Sequence, residues 1–167
     1  MSGAPVTAGF SRPAPFLLAP DAAEALTGGR WVGPRTAVEL RGAVTDSRRV
    51  GAGCLFACFA GEKTDGHAYA PAAAAAGAAL ILATREVAVP VPVLLVSDAT
   101  LALQQLAAEF RRRYRGATWI GITGSNGKTT TKELLASACA ACGPAWSTQG
   151  NLNNHLGVPL TILATPA

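Results

Sequence analysis

The stretch best equipped for chemistry is Gly121-Ile122-Thr123-Gly124-Ser125-Asn126-Gly127-Lys128-Thr129-Thr130. Glycines 124 and 127 permit a tight bend that turns successive backbone N–H groups inward, and a helix starting just after them points its positive end at the same place. A polyphosphate suits such a cradle, with Gly124, Ser125, Asn126, Gly127, Lys128, Thr129 and Thr130 as its lining. Lys128 is the expected catalytic residue, a point charge for the β- and γ-phosphates, and the Thr129 hydroxyl is the expected Mg²⁺ ligand. The strict P-loop pattern places a glycine five residues before Gly127, where this chain has Ile122, with glycines at 121 and 124 instead. The reading therefore rests on Thr-Gly-x-x-Gly-Lys-Thr-Thr in a strand–loop–helix setting.

Two further polar clusters have chemical potential. In Thr45-Asp46-Ser47-Arg48, hydroxyls and a guanidinium suit a phosphate or a carbonyl-rich base; the same residues also suit a turn in which Asp46 and Ser47 bond their own backbone and Arg48 pairs locally. Asn151, Asn153 and Asn154 crowd one loop with His155. Their amides both donate and accept, which fits phosphate oxygens or sugar hydroxyls beyond a strand end, as well as a plain turn and helix cap. His67, in the polar loop 61–67, is a capping or ligand-facing candidate.

Positioning these groups takes alternating strands and helices, hence an α/β fold. Residues 21–26 read as a short helix ended by Gly28-Gly29, and 31–40 lead to the first strand. Residues 43–59 read as strand, polar turn, strand; 68–76 as a helix; 78–83 and 93–97 as strands. Ser97 or Asp98 caps a helix in which Leu103, Leu106, Ala107, Phe110 and Tyr114 share one face. Residues 117–122 and 145–148 read as parallel strands flanking a helix at 128–142 that stops at Gly143-Pro144. The expected division is a flexible tail, 1–15, a small amino-terminal α/β domain, 16–116, and the first part of a P-loop parallel-sheet domain, 117–167.

Composition narrows the function. Charged residues are 14% of the 167, against roughly 25% in an average soluble protein, and alanine fills the deficit. No run of about 18 strongly apolar residues is present, so membrane insertion is not expected. A net charge of +4 permits anionic ligands without pointing to nucleic acid, because much of the excess, Arg111, Arg112, Arg113 and Arg115, closes one helix. The four cysteines lack zinc-like partner spacing and read as small core residues in a reducing cytoplasm.

Taken together, these motifs resemble the Mur ligases, ATP-dependent amide-forming enzymes of peptidoglycan precursor synthesis. The resemblance spans about residues 22–165 and is carried by 123–130 as the P-loop, by Thr45-Asp46-Ser47-Arg48 with Gly51-x-Gly53-Cys54-Leu55-Phe56-Ala57, and by Asp65-Gly66-His67. Residues 151–161 are most similar to the member that adds D-alanyl-D-alanine to UDP-N-acetylmuramoyl-tripeptide. The resemblance implies a monomer using ATP and Mg²⁺, in which a substrate carboxylate becomes an acyl phosphate that the incoming amine displaces. It implies that Ser47 and Arg48 hold the UDP end, and that Asn153 and Asn154 approach the muramoyl-peptide. Family members continue into further metal ligands and a third domain, so complete turnover is not expected of these 167 residues alone. Two other readings are a UDP-sugar-binding module that does not catalyse, and another P-loop enzyme such as a kinase or a folate-type polyglutamate ligase.

Overall fold

A computed structural model describes residues 13–61, 64–148 and 152–166. The expected tail therefore lies outside the described residues up to position 12. Positions 13 and 14 depart from that expectation. Ala14 is buried, its N–H donates to the Thr165 carbonyl at 2.8 Å, and Pro13 bridges to Pro166.

The elements run β1 (Phe16–Leu18), α1 (Pro20–Thr27), β2 (Arg30–Val32), β3 (Val38–Leu40), β4 (Ala43–Val44), β5 (Leu55–Ala57), α2 (Ala70–Ala75), β6 (Leu80–Ala83), β7 (Val93–Leu95), α3 (Ala99–Arg113), α4 (Lys128–Ala140) and α5 (Gly157–Leu163). Five strands form one sheet in the order β2-β7-β6-β5-β4, parallel except for the antiparallel edge strand β2; β1 and β3 form a separate antiparallel pair.

Strands β5 and β6 are buried throughout, which is why they read as unbroken apolar runs rather than alternating ones. Their period of two divides the side chains between two cores. Leu55, Ala57, Leu80, Leu82 and Leu94 face α1 and α3, while Phe56, Cys58, Ile81, Ala83 and Val93 pack with Ala70 and Ala73 of α2. Helix α3 starts where Asp98 accepts from the N–H groups of Thr100 (2.8 Å) and Leu101 (3.0 Å). It buries Leu103, Leu106, Ala107 and Phe110, four of the five residues read as its core stripe.

Helix α5 packs on α3 and β4, and its Leu163 joins the larger core. An aromatic chain then ties the end of α3 to the segment leading into the glycine-rich loop: Phe110 stacks on Tyr114 at 5.4 Å, and Tyr114 meets Trp119 edge-on at 6.3 Å.

The expected strands 117–122 and 145–148 are not found as strands among the described residues. A strand requires a hydrogen-bonded neighbour as well as suitable side chains, and none of the described sheet strands pairs with either stretch.

Three carboxylates make the fold sensitive to acid. Glu24 is held down to about 2 chiefly by Arg35, which donates to it from both terminal nitrogens, and then by the Trp31 N–H at 2.7 Å. Glu109 is held to about 2 first by Arg112, and Asp46 to about 2 first by Arg48. Because the folded state lowers these values, it binds fewer protons there than the unfolded chain. The stabilisation is complete above the ordinary carboxylate range and is lost as pH falls toward about 2. Urea midpoints recorded against pH should hold level near neutrality and decline steadily below about 4.5; a flat profile to about 2 contradicts the assignment.

Candidate functional site

The glycine-rich loop has the backbone its sequence demands. Gly124 (φ 149°) and Gly127 (φ 77°) occupy conformations that favour glycine, and α4 begins at the next residue, Lys128. The first helical hydrogen bond runs from the Thr131 N–H to the Gly127 carbonyl at 2.9 Å. The N–H groups of Lys128, Thr129 and Thr130 therefore lack intrahelical acceptors, and no side chain caps this end. The Lys128 Nζ folds back over the loop, donating to the Gly124 carbonyl and to the Ser125 carbonyl at 3.3 Å. Residues 123–127 with Thr129 and Thr130 are exposed, and the Thr129 hydroxyl has no protein partner among the described residues. Unsatisfied N–H donors, the positive helix end, an ammonium group and a free hydroxyl thus converge where a polyphosphate and its cation would sit.

A second feature is a cleft of about 230 Å³ between the Ala43–Arg49 stretch and a wall made by Trp146, Leu152 and α5. It brings the stretch 45–48 against the segment that carries the Asn-rich loop, but of the described residues of that loop only Leu152 borders it; Asn153, Asn154 and His155 do not. Thr45, Asp46 and Arg49 border it; Ser47 and Arg48 do not. Residues 47–49 form a 3₁₀ turn capped by Asp46, whose Oδ1 accepts from the Arg48 N–H at 3.0 Å. The Arg48 guanidinium bends back onto the same carboxylate, with Nε–Oδ1 at 2.9 Å and Nη2–Oδ2 at 2.7 Å, so the local pairing described above is the one adopted.

Asn154 is engaged elsewhere: its Oδ1 accepts from the N–H groups of Leu156 (3.2 Å) and Gly157 (2.7 Å) and so caps the start of α5. Asn153 is exposed, and Asn151 lies outside the described residues. Gly157 is required sterically, since a Cβ there would fall 2.5 Å from the Leu152 backbone. Lys132 of α4 donates to the Thr148 carbonyl at 2.8 Å, which links the helix of the glycine-rich loop to the cleft wall.

His67 is internal. Its Nε2 accepts from the Thr84 N–H at 3.1 Å, which places the ring proton on Nδ1, 2.6 Å from Asp65 Oδ1; Arg85 pairs with the other Asp65 oxygen. Burial of the ring and tight packing of Gly66 on the Phe59 backbone explain the Asp-Gly-His run as a latch between a 3₁₀ turn and the end of β6. Arg49, Trp146 and Leu152 are the cleft residues that sequence reading passes over. The only signal for Arg49 is its place one step beyond Arg48 in a short polar turn.

The cysteines divide by burial. Cys58 is a core residue whose thiol is pushed up to about 12, chiefly by burial, whereas Cys142, just beyond the end of α4, is exposed. The expectation of small core residues thus fails for Cys142. Treatment of the folded chain with a disulfide reagent at mildly alkaline pH should label Cys142 first and Cys58 only after denaturant is added; early labelling of Cys58 contradicts its placement.

Comparison with known proteins places these features. Residues 39–111 match the profile described as "Mur ligase family, catalytic domain", and residues 122–167 match "Mur ligase middle domain". The UDP-N-acetylmuramoyl-tripeptide–D-alanyl-D-alanine ligase of Escherichia coli (strain K12) is 41% identical over 126 residues, covering 75% of this chain and 28% of the relative. The crystal structure of MurF from Acinetobacter baumannii matches with a TM-score of 0.75 at 34% identity, over 92% of this chain and 34% of that one. MurF ligase from Thermotoga maritima, solved in complex with ADP, matches with a TM-score of 0.62 at 36% identity, over 72% of this chain and 28% of that one. The chain thus spans about 28% of the length of the curated relatives it matches. With one stretch matching each profile and the α/β arrangement of MurF shared across most of its length, the chain belongs to the Mur ligase family.

Proposed function

We propose that this chain forms the precursor-binding domain and the first part of the ATP-binding domain of a ligase that joins D-alanyl-D-alanine to UDP-N-acetylmuramoyl-tripeptide. The observation that carries this reading is the loop 124–130, where three N–H groups without intrahelical acceptors open beside Lys128 in a chain related to MurF. The donor set fits a nucleotide triphosphate. Gly124, Ser125, Asn126 and Gly127 form the bend, the N–H groups of Lys128, Thr129 and Thr130 meet phosphate oxygens, and Lys128 adds charge. Thr129 offers a hard oxygen suited to Mg²⁺. When bound, ATP supplies the phosphoryl group that activates the tripeptide carboxylate as an acyl phosphate. The chain's own contribution is to hold and orient the reactants and to neutralise charge.

The cleft between 43–49 and α5 is the proposed precursor site, close to Ser47 and to the Asn153–Asn154 loop. A domain boundary near Gly116 agrees with the gap between the two profile matches. No helix among the described residues is long and apolar enough to cross a membrane; a cytoplasmic monomer that contacts no nucleic acid fits a ligase acting on soluble precursors. Titration of the chain with UDP-N-acetylmuramoyl-tripeptide, and separately with MgATP, tests the proposal. Saturable binding of each at its own site is expected. Failure to bind the tripeptide precursor at millimolar concentration, with ATP bound normally, would remove the ligase assignment.

A further inference from the structure

We propose that Arg49, rather than Arg48, is the arginine that reads the anionic part of the ligand in the cleft. The proposal rests on the reading of that cleft as the precursor site and names the residue that selects for a diphosphate. Successive residues of a 3₁₀ turn are roughly 120° apart, so Arg48 and Arg49 leave the Ser47–Arg49 turn in different directions. Arg48 folds over Asp46, bonds both of its oxygens, and is 86% exposed outside the cleft. Its charge is already matched.

Arg49 borders the cleft, and among the described residues it has no ion pair and no side-chain hydrogen bond. Among the described residues, the one other charged residue bordering the cavity is Asp46, which is paired with Arg48. The remaining walls carry no charge: Val44, Leu152 and Leu160 are apolar, Thr45 bears a hydroxyl and Trp146 an indole N–H without a partner among the described residues. One unmatched guanidinium at the mouth of a largely apolar cleft therefore sets its electrostatic preference. The fork geometry of a guanidinium suits two oxygens of a diphosphate at once, and the apolar wall suits the less polar remainder of the ligand.

Calorimetric titration of the 167-residue chain with UDP-N-acetylmuramoyl-tripeptide, UDP and uridine tests the proposal. Arg49→Gln is expected to weaken both diphosphates by about tenfold or more and to leave uridine unchanged, with Arg49→Lys falling between. Asp46→Asn combined with Arg48→Gln removes the matched pair together, so that no lone carboxylate is left in the cleft; its effect should stay below about threefold. Arg49 has no described protein partner, so the melting temperature of Arg49→Gln should equal that of the parent.

If the parent binds the diphosphates and Arg49→Gln binds them equally well, Arg49 is not the selecting residue, although the cleft remains the precursor site. A larger loss in the paired variant than in Arg49→Gln also overturns the assignment. If the parent binds neither diphosphate, the precursor-site reading falls and the role of Arg49 falls with it.

Discussion

Replacing Lys128 with alanine is expected to weaken MgATP binding by about 10- to 100-fold, the loss that follows from removing a charge-assisted hydrogen bond worth roughly 1.5–3 kcal/mol. The ammonium group currently rests on the Gly124 and Ser125 carbonyls, so a phosphate that enters the loop finds the charge already held above it. These contacts stay within an exposed loop, and neither core includes Lys128. The variant should therefore keep its melting temperature and its affinity for UDP-N-acetylmuramoyl-tripeptide. Loss of both ligands would mean that the substitution disturbs the fold. Unchanged ATP affinity would mean that Lys128 does not meet the phosphates.

Phe110→Ala is expected to cost about 3–5 kcal/mol of unfolding free energy, a large part of the 5–15 kcal/mol that stabilises a typical domain. The Phe110 ring is fully packed between Phe16, edge-on at 5.7 Å, and Tyr114, stacked at 5.4 Å. Truncation leaves a cavity on the α3 face of the sheet and removes the support of Tyr114, whose hydroxyl donates to the Pro166 carbonyl at 3.0 Å. The loosening should therefore reach Trp119 and the approach to the glycine-rich loop. Urea unfolding followed by tryptophan fluorescence measures both effects, and Phe110→Leu, which refills much of the volume, should recover most of the loss. A cost below about 1 kcal/mol for the alanine variant would place Phe110 outside the core.

Local chemistry was legible in the sequence wherever it alone decides the structure. The Asp98 cap, the apolar runs of β5 and β6 and the glycines at 124 and 127 each announce an element, and the elements are found. Features that depend on distant partners were not legible. Whether 117–122 pairs as a strand depends on a neighbouring strand rather than on its own residues. The β1–β3 ladder, with Phe16 opposite Leu40, joins two short stretches with little pattern of their own. The cleft shows both outcomes. One wall comes from the 45–48 cluster singled out by residue type, whereas the other is made by Trp146, Leu152 and α5 rather than by the Asn and His residues of the second cluster. Turn geometry decided the rest, since Asp46 captured Arg48 and left Arg49 on the cleft, and Asn154 was taken up in capping α5. His67 shows how a motif residue can mark a latch, since its ring nitrogens are engaged by Asp65 and Thr84.

The glycine-rich loop is the centre of the account, and backbone amide resonances report on it directly. On titration of the isotopically labelled chain with MgATP, the N–H signals of Gly127, Lys128, Thr129 and Thr130 should shift most and saturate together, while those of the buried strands β5 and β6 stay in place. If MgATP binds and these four signals do not move, or if the largest shifts fall elsewhere in the chain, the loop does not hold the phosphates.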